Sequence, residues 1–153
     1  MTYGWAILII AIVLVALFEL GIFGGSTLPT TCVAQSGFIC SNPTYDGGNI
    51  AFTIGQNSGS TYYNVNAVFL NSSELATFSA ASSSFPSALT QNIVAATMPA
   101  GSTYSAKVQA WTSSSAKATL GTGISGQIWI SYETTSGGST NFAEVGTFTG
   151  KAT

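Results

Sequence analysis

The chain has 153 residues, room for one folded domain of about 125 residues beside a short extra segment. Only 5% of it is charged, against about 25% in an average globular chain, and the net charge is −2. Three basic residues and no histidine exclude a basic face for nucleic acid, a Ser-His-Asp arrangement and a histidine-based metal site.

Residues 1–23, MTYGWAILIIAIVLVALFELGIF, read as one long hydrophobic helix. From Gly4 to Phe18 there is no charged or strongly polar side chain, so the helix has no polar face and has to be covered all round. Twenty-three helical residues span about 35 Å, the thickness of a bilayer core. Gly24-Gly25 is the stop signal, with Pro29 beyond it. No Lys or Arg precedes Lys107, and GIFGGST is a poor match to a cleavage site. The segment therefore reads as retained rather than as a removable signal peptide. The same lack of basic flanks leaves the positive-inside rule nothing to orient. Glu19 is the one charge in the segment. Either it reaches water at the outer end, or it meets a polar partner on a neighbouring helix.

Residues 24–31, GGSTLPTT, form a joint, and the rest of the chain, 32–153, reads as a β-domain. Cys32 and Cys40 are eight apart, too few for a zinc site and not the CxxC of redox proteins. A local disulfide is the expectation, which implies an oxidising, extracytoplasmic compartment. From residue 49 the pattern alternates. In 49–55, Ile50, Phe52 and Ile54 share a face; in 61–70, Tyr63, Val65, Ala67 and Phe69 do, opposed by Asn64 and Asn66. The five residues between these runs suggest a hairpin. The stretch 72–92 reads either way, as a helical turn or strand followed by a loop broken at Pro86. Strands are expected at 92–97, 103–111 and 124–134, and the closing NFAEVGTFTGKA forms the last. In 124–134, Ile124, Ile128, Ile130 and Tyr132 face one way, and Gln127, Trp129, Ser131 and Glu133 the other. The expected fold class is α+β: a long N-terminal hydrophobic α-helix followed by an antiparallel β-sandwich of about seven strands, immunoglobulin-like in general form.

No catalytic constellation is visible. The acids Glu19, Asp46, Glu74, Glu133 and Glu144 sit in separate segments, and the Gly-rich pieces fall in turns and match no phosphate-binding pattern. Neither an enzyme nor a cofactor is expected. The 21 Ser and 20 Thr leave hydroxyls rather than charges to keep the surface wet. Asn71-Ser72-Ser73 is an N-x-S sequon, which makes Asn71 a glycosylation candidate.

The N-terminal segment, above all Tyr3-Gly4-Trp5-Ala6-Ile7-Leu8, resembles the N-terminal helix of archaeal type IV pilins with class III signal peptides. The closing Gly123-Ile124-Ser125-Gly126-Gln127-Ile128-Trp129-Ile130, Tyr132 and the final strand ending near Lys151 are similar to the same family. The resemblance implies a charged leader clipped by a prepilin peptidase ahead of this segment, a subunit held in the cytoplasmic membrane before assembly, and pilus assembly machinery as a partner. It also implies a homopolymer built through the helix, with Tyr3, Gly4, Trp5, Ile7, Leu8, Ala11, Leu14, Phe18 and Glu19 as its assembly residues. Gly4, Ala6, Ala11 and Ala16 would let neighbouring helices approach closely. The expected function is an extracellular, adhesive pilus filament recognising a surface or host-cell receptor. The alternatives are a monomeric surface domain on one transmembrane helix, or the filament of a swimming motor.

Overall fold

The computed structural model describes residues 3–19, 29–79, 84–86, 89, 91–113, 116–118 and 121–151; the side chains of 18, 19 and 111–117 fall outside the description. Helix α1 spans Gly4–Glu19. The β-domain follows as β1 (Thr31–Ala34), β2 (Phe38–Tyr45), β3 (Asn49–Gln56), β4 (Tyr62–Asn71), helix α2 (Ser72–Thr77), β5 (Asn92–Met98), β6 (Thr103–Gln109), β7 (Trp111–Ser113), β8 (Ala116–Lys117), β9 (Gly123–Glu133) and β10 (Thr140–Lys151).

The described residues do not bear out the long helix expected over 1–23, of which 1, 2 and 20–23 lie outside the description. The described helix has 16 residues, about 24 Å of rise, and no helix among the described residues is long and apolar enough to cross a membrane. The apolar run that set the expected length reports a need for cover, which any backbone conformation can have. It does not report where helical hydrogen bonds start or stop. The earliest such bond described runs from the Ile7 N–H to the Tyr3 carbonyl at 3.2 Å, which makes Gly4 the first helical residue. The sandwich half of the expectation does fit. β1-β10-β9-β4-β5 form one sheet and β2-β3-β6 another, every pairing antiparallel, with β7 and β8 as a small ribbon.

The alternating residues explain why the two sheets stack. Ile50, Phe52, Ile54, Ala106 and Val108 from the three-stranded sheet meet Val65, Ala67, Phe69, Ile128, Ile130 and Phe148 from the five-stranded one in a single buried core. Phe148 sits at its centre, edge-on to Tyr45 and to Phe69 with ring centres 6.4 and 6.1 Å away. Gly126 lies beneath the Phe69 ring; a Cβ there would run into that ring and the Leu70 carbonyl oxygen.

Three expectations about the strands are corrected. β3 and β4 do not form a hairpin: β3 pairs with β2 and β6, β4 with β5 and β9, so residues 57–61 cross between the sheets. Gln56 makes that corner. Fully buried, its Nε2 donates to the Ser60 and Met98 carbonyls at 2.6 and 3.2 Å. Its Oε1 accepts from the Ser58 N–H at 2.8 Å and the Ser58 hydroxyl at 2.6 Å. A glutamine satisfied this fully folds the loop onto itself and bends the chain away from β3. In β4, Tyr62 rather than Tyr63 turns inward and stacks on Tyr132, ring centres 3.9 Å apart. The cause is a bulge between Tyr63 and Asn66 with Asn64 at φ 50°, which shifts the alternation by one residue. The cysteine segment, read as a loop, instead supplies β1 and β2. Their signal was hidden because β2 carries Asn42 at φ 50° and Pro43 in a register shift between Ser41 and Thr44. Proline is admissible there because β2 is an edge strand.

The outer face of the five-stranded sheet is not all solvent. Val68 and Leu70 of β4, with Trp129 and Phe142 half-buried beside them, are roofed by Leu75, Phe78, Phe85 and Leu89. Phe78 packs on Phe85, Trp129 and Phe142 at ring separations of 5.5, 5.1 and 5.8 Å. The stretch that read either way, 72–92, thus supplies a lid with a small second core beneath it.

Candidate functional site

Two features stand out against the closed β-domain, and the larger is α1. Ten large apolar side chains on or beside it are exposed, from Leu14 at 45% to Tyr3 at 82%, with Trp5 at 78%. Covering each is worth about 1.5–3 kcal/mol. Association itself costs about 4–15 kcal/mol. One neighbour, hiding half the helix, would barely offset that; neighbours on several sides would exceed it. An apolar surface that goes all the way round therefore favours a bundle over a pair. Gly4, Ile7, Leu8, Ala11, Ile12 and Val15 line a shallow groove along one stripe of the helix. Gly4 and Ala11 are its low points, and a Cβ on Gly4 would meet nothing within 4 Å. Such a stripe accepts the side chains of an adjacent helix.

The structure gathers Tyr3, Gly4, Trp5, Ile7, Leu8, Ala11 and Leu14 on this exposed element. Phe18 and Glu19 belong to its last turn, and both readings of the Glu19 side chain lie outside the described residues.

Cys32 and Cys40 form the expected disulfide, with Cα atoms 5.9 Å apart. It joins β1 of the larger sheet to β2 of the smaller, and closing this short loop is worth about 2–3 kcal/mol on the chain-entropy account.

Asn71, the sequon asparagine, lies elsewhere, at the start of α2. It is the N-cap of α2, only 7% exposed. Its Oδ1 accepts from the Ser73 and Glu74 N–H groups at 2.9 and 3.0 Å, while the Glu74 carboxylate accepts from the Asn71 N–H at 3.1 Å. The capping bonds use Oδ1, whereas a glycan would be joined through Nδ2, so they do not decide the glycosylation expectation. Asn71-x-x-Glu74 is a capping-box signature, and that reading of the same four residues was open to sequence inspection.

Burial pushes the Glu74 carboxyl above its ordinary 4.5, and the Asn71 N–H pulls it part of the way back. The folded chain thus holds this proton to higher pH than the unfolded chain. The stability tied to Glu74 is complete below pH 4.5, falls as pH rises from there through the raised folded value, and then levels off. Glu74→Gln, which keeps an acceptor for the cap, should flatten that fall. Thermal unfolding at about pH 4 and about pH 7 checks it. A variant that loses as much melting temperature across the interval as the parent would show that Glu74 is not the source.

Among the described residues no three His, Cys, Asp or Glu come together as a metal site. No protein-family model, curated protein or solved structure matches the chain. The reading of its function therefore rests on the chain's own geometry and on the resemblance of its two ends.

Proposed function

We infer that this chain is the structural subunit of an archaeal type IV pilus, polymerising through α1 into an extracellular filament with the β-domain outward. The observation that carries this reading is the all-round exposed apolar surface of α1 beside a domain whose own core is already closed. Identical helices in a bundle cover every side at once, and head-to-tail contacts that do not close extend into an open helical polymer. The β-domain, with few charges and many hydroxyls, suits the outer, adhesive surface. The prepilin peptidase, the assembly machinery and a membrane stage before assembly rest on the resemblance alone. The rival arrangement is a monomer held by one transmembrane helix; it would cover the apolar surface of α1 with lipid instead of with copies of the chain.

Electron microscopy of the full chain after detergent removal tests the reading. Long filaments free of lipid are expected. A full chain recovered solely as detergent-dispersed monomers would overturn the filament and leave the β-domain as described.

A further inference from the structure

The second feature is a cleft of about 190 Å³ on the outer face of the five-stranded sheet, where the aromatic lid stops. Phe85 and Phe142 form its apolar wall, their rings 4.9 Å apart and edge-on. Asn64, Asn66, Gln91 and Glu133 supply its polar side. The β4 bulge builds this side by presenting Asn64 and Asn66 together. The side chains are held in place: Asn64 Nδ2 donates to Glu133 Oε2 at 3.0 Å, the Gly137 N–H donates to the same oxygen at 2.8 Å, and Asn66 Nδ2 donates to the Asn64 carbonyl at 2.9 Å. Glu133 Oε1 and the two amide oxygens remain as acceptors, and Gln91, exposed at the rim, brings both donor and acceptor.

The chemistry of this lining selects among ligands. Among the described residues that line it there is no Lys or Arg, so they bring no charge to hold an anion. A single carboxylate, already accepting two hydrogen bonds, is a poor cation cage. β4 and β9, which carry Asn64, Asn66 and Glu133, are paired on both sides there, so the polar side of the cleft offers no free strand edge to an extended peptide. What fits is a neutral ligand rich in hydroxyls, with a C–H face for the Phe rings and a size near one sugar ring. We propose that this cleft binds a terminal sugar unit of a glycan. Amides and one fixed carboxylate take the hydroxyls, the carboxylate through a charge-assisted bond, and Phe85 and Phe142 take the apolar face. The site belongs to the β-domain alone, so it stands or falls separately from the filament.

Saturation-transfer NMR on the full chain, as filaments or dispersed in detergent, tests it with the methyl glycosides of glucose, mannose, galactose and N-acetylglucosamine. Transfer to the ring protons of at least one is expected, with a Kd of about 1 mM. Glu133→Gln should weaken that binding about tenfold, the loss of one charge-assisted bond. Gln91→Ala should weaken it several-fold, and Asp46→Asn, on an exposed corner of the other sheet, should leave it unchanged. Should Glu133→Gln disturb the bulge and fail to fold, Gln91→Ala decides, since Gln91 is exposed and precedes β5. Absence of transfer to all four glycosides overturns the proposal. So does transfer that survives both cleft variants, or that Asp46→Asn weakens equally.

Discussion

Ala11→Glu should abolish filaments while leaving the β-domain folded. Ala11 lies at a low point of the groove on α1, where a neighbouring helix would approach closest. A carboxylate buried there has no cationic partner on α1, which carries no basic residue, and an unpaired buried charge costs several kcal/mol. A filament repeats that cost at every subunit, so assembly should fail outright rather than weaken. The main core draws none of its residues from α1, so circular dichroism of the variant should keep its β signature. Normal filaments from Ala11→Glu would mean that this face of the helix is not in the bundle. Ala11→Ser, which adds a small neutral group, should still assemble.

Phe148→Ala should produce the largest loss of stability, about 3–5 kcal/mol. Phe148 is fully buried, and it bridges Tyr45 of the smaller sheet to Phe69 of the larger. Removing the ring opens a cavity that neither neighbour can fill, because both sit on paired strands. Against a total of about 5–15 kcal/mol for a domain, that loss is large enough to unfold a marginal one. Urea unfolding of the detergent-dispersed full chain gives the measurement. A shift below about 1 kcal/mol would place the centre of the core elsewhere.

How much of this was legible depends on which physical signal each segment carries. β3 and β9 could be read because period two survives in them unbroken on the buried side; β10 carries a register shift between Glu144 and Gly146 and was placed only as a closing strand. Partner choice could not. Ile50, Phe52 and Ile54 state that one face is buried, yet nothing in their spacing says which sheet they join, and Gln56 sends the chain across the sandwich through hydrogen bonds that leave no periodicity. β4 was legible up to its bulge, where one left-handed asparagine exchanges Tyr63 for Tyr62. The lid was missed because Phe78, Phe85 and Leu89 are isolated among Ser and Ala, and their common target, Trp129 and Phe142, lies far away in the chain. The disulfide was legible from count and spacing, but not that it joins two sheets. At α1, composition was read as length: apolarity reports a segment that needs cover and not where a helix ends, and the described helix has 16 residues. The polar cleft gave no signal at all in sequence, since Asn64, Asn66, Gln91 and Glu133 come from three segments united by register alone.

The disulfide has a mechanical consequence. Any pull transmitted along the chain from α1 enters the β-domain at Thr31, the first residue of β1. β1 is an edge strand held to β10, the kind of attachment that peels open one pair at a time under load. Here peeling can release just the Thr31–Thr149 pair before it reaches Cys32, where a covalent link carries the tension to Cys40 on β2. Beyond that point the force is shared between both sheets and borne by the whole hydrophobic interface rather than by one ladder of hydrogen bonds. Under tension, the domain would hold or fail as a unit instead of unravelling from its end.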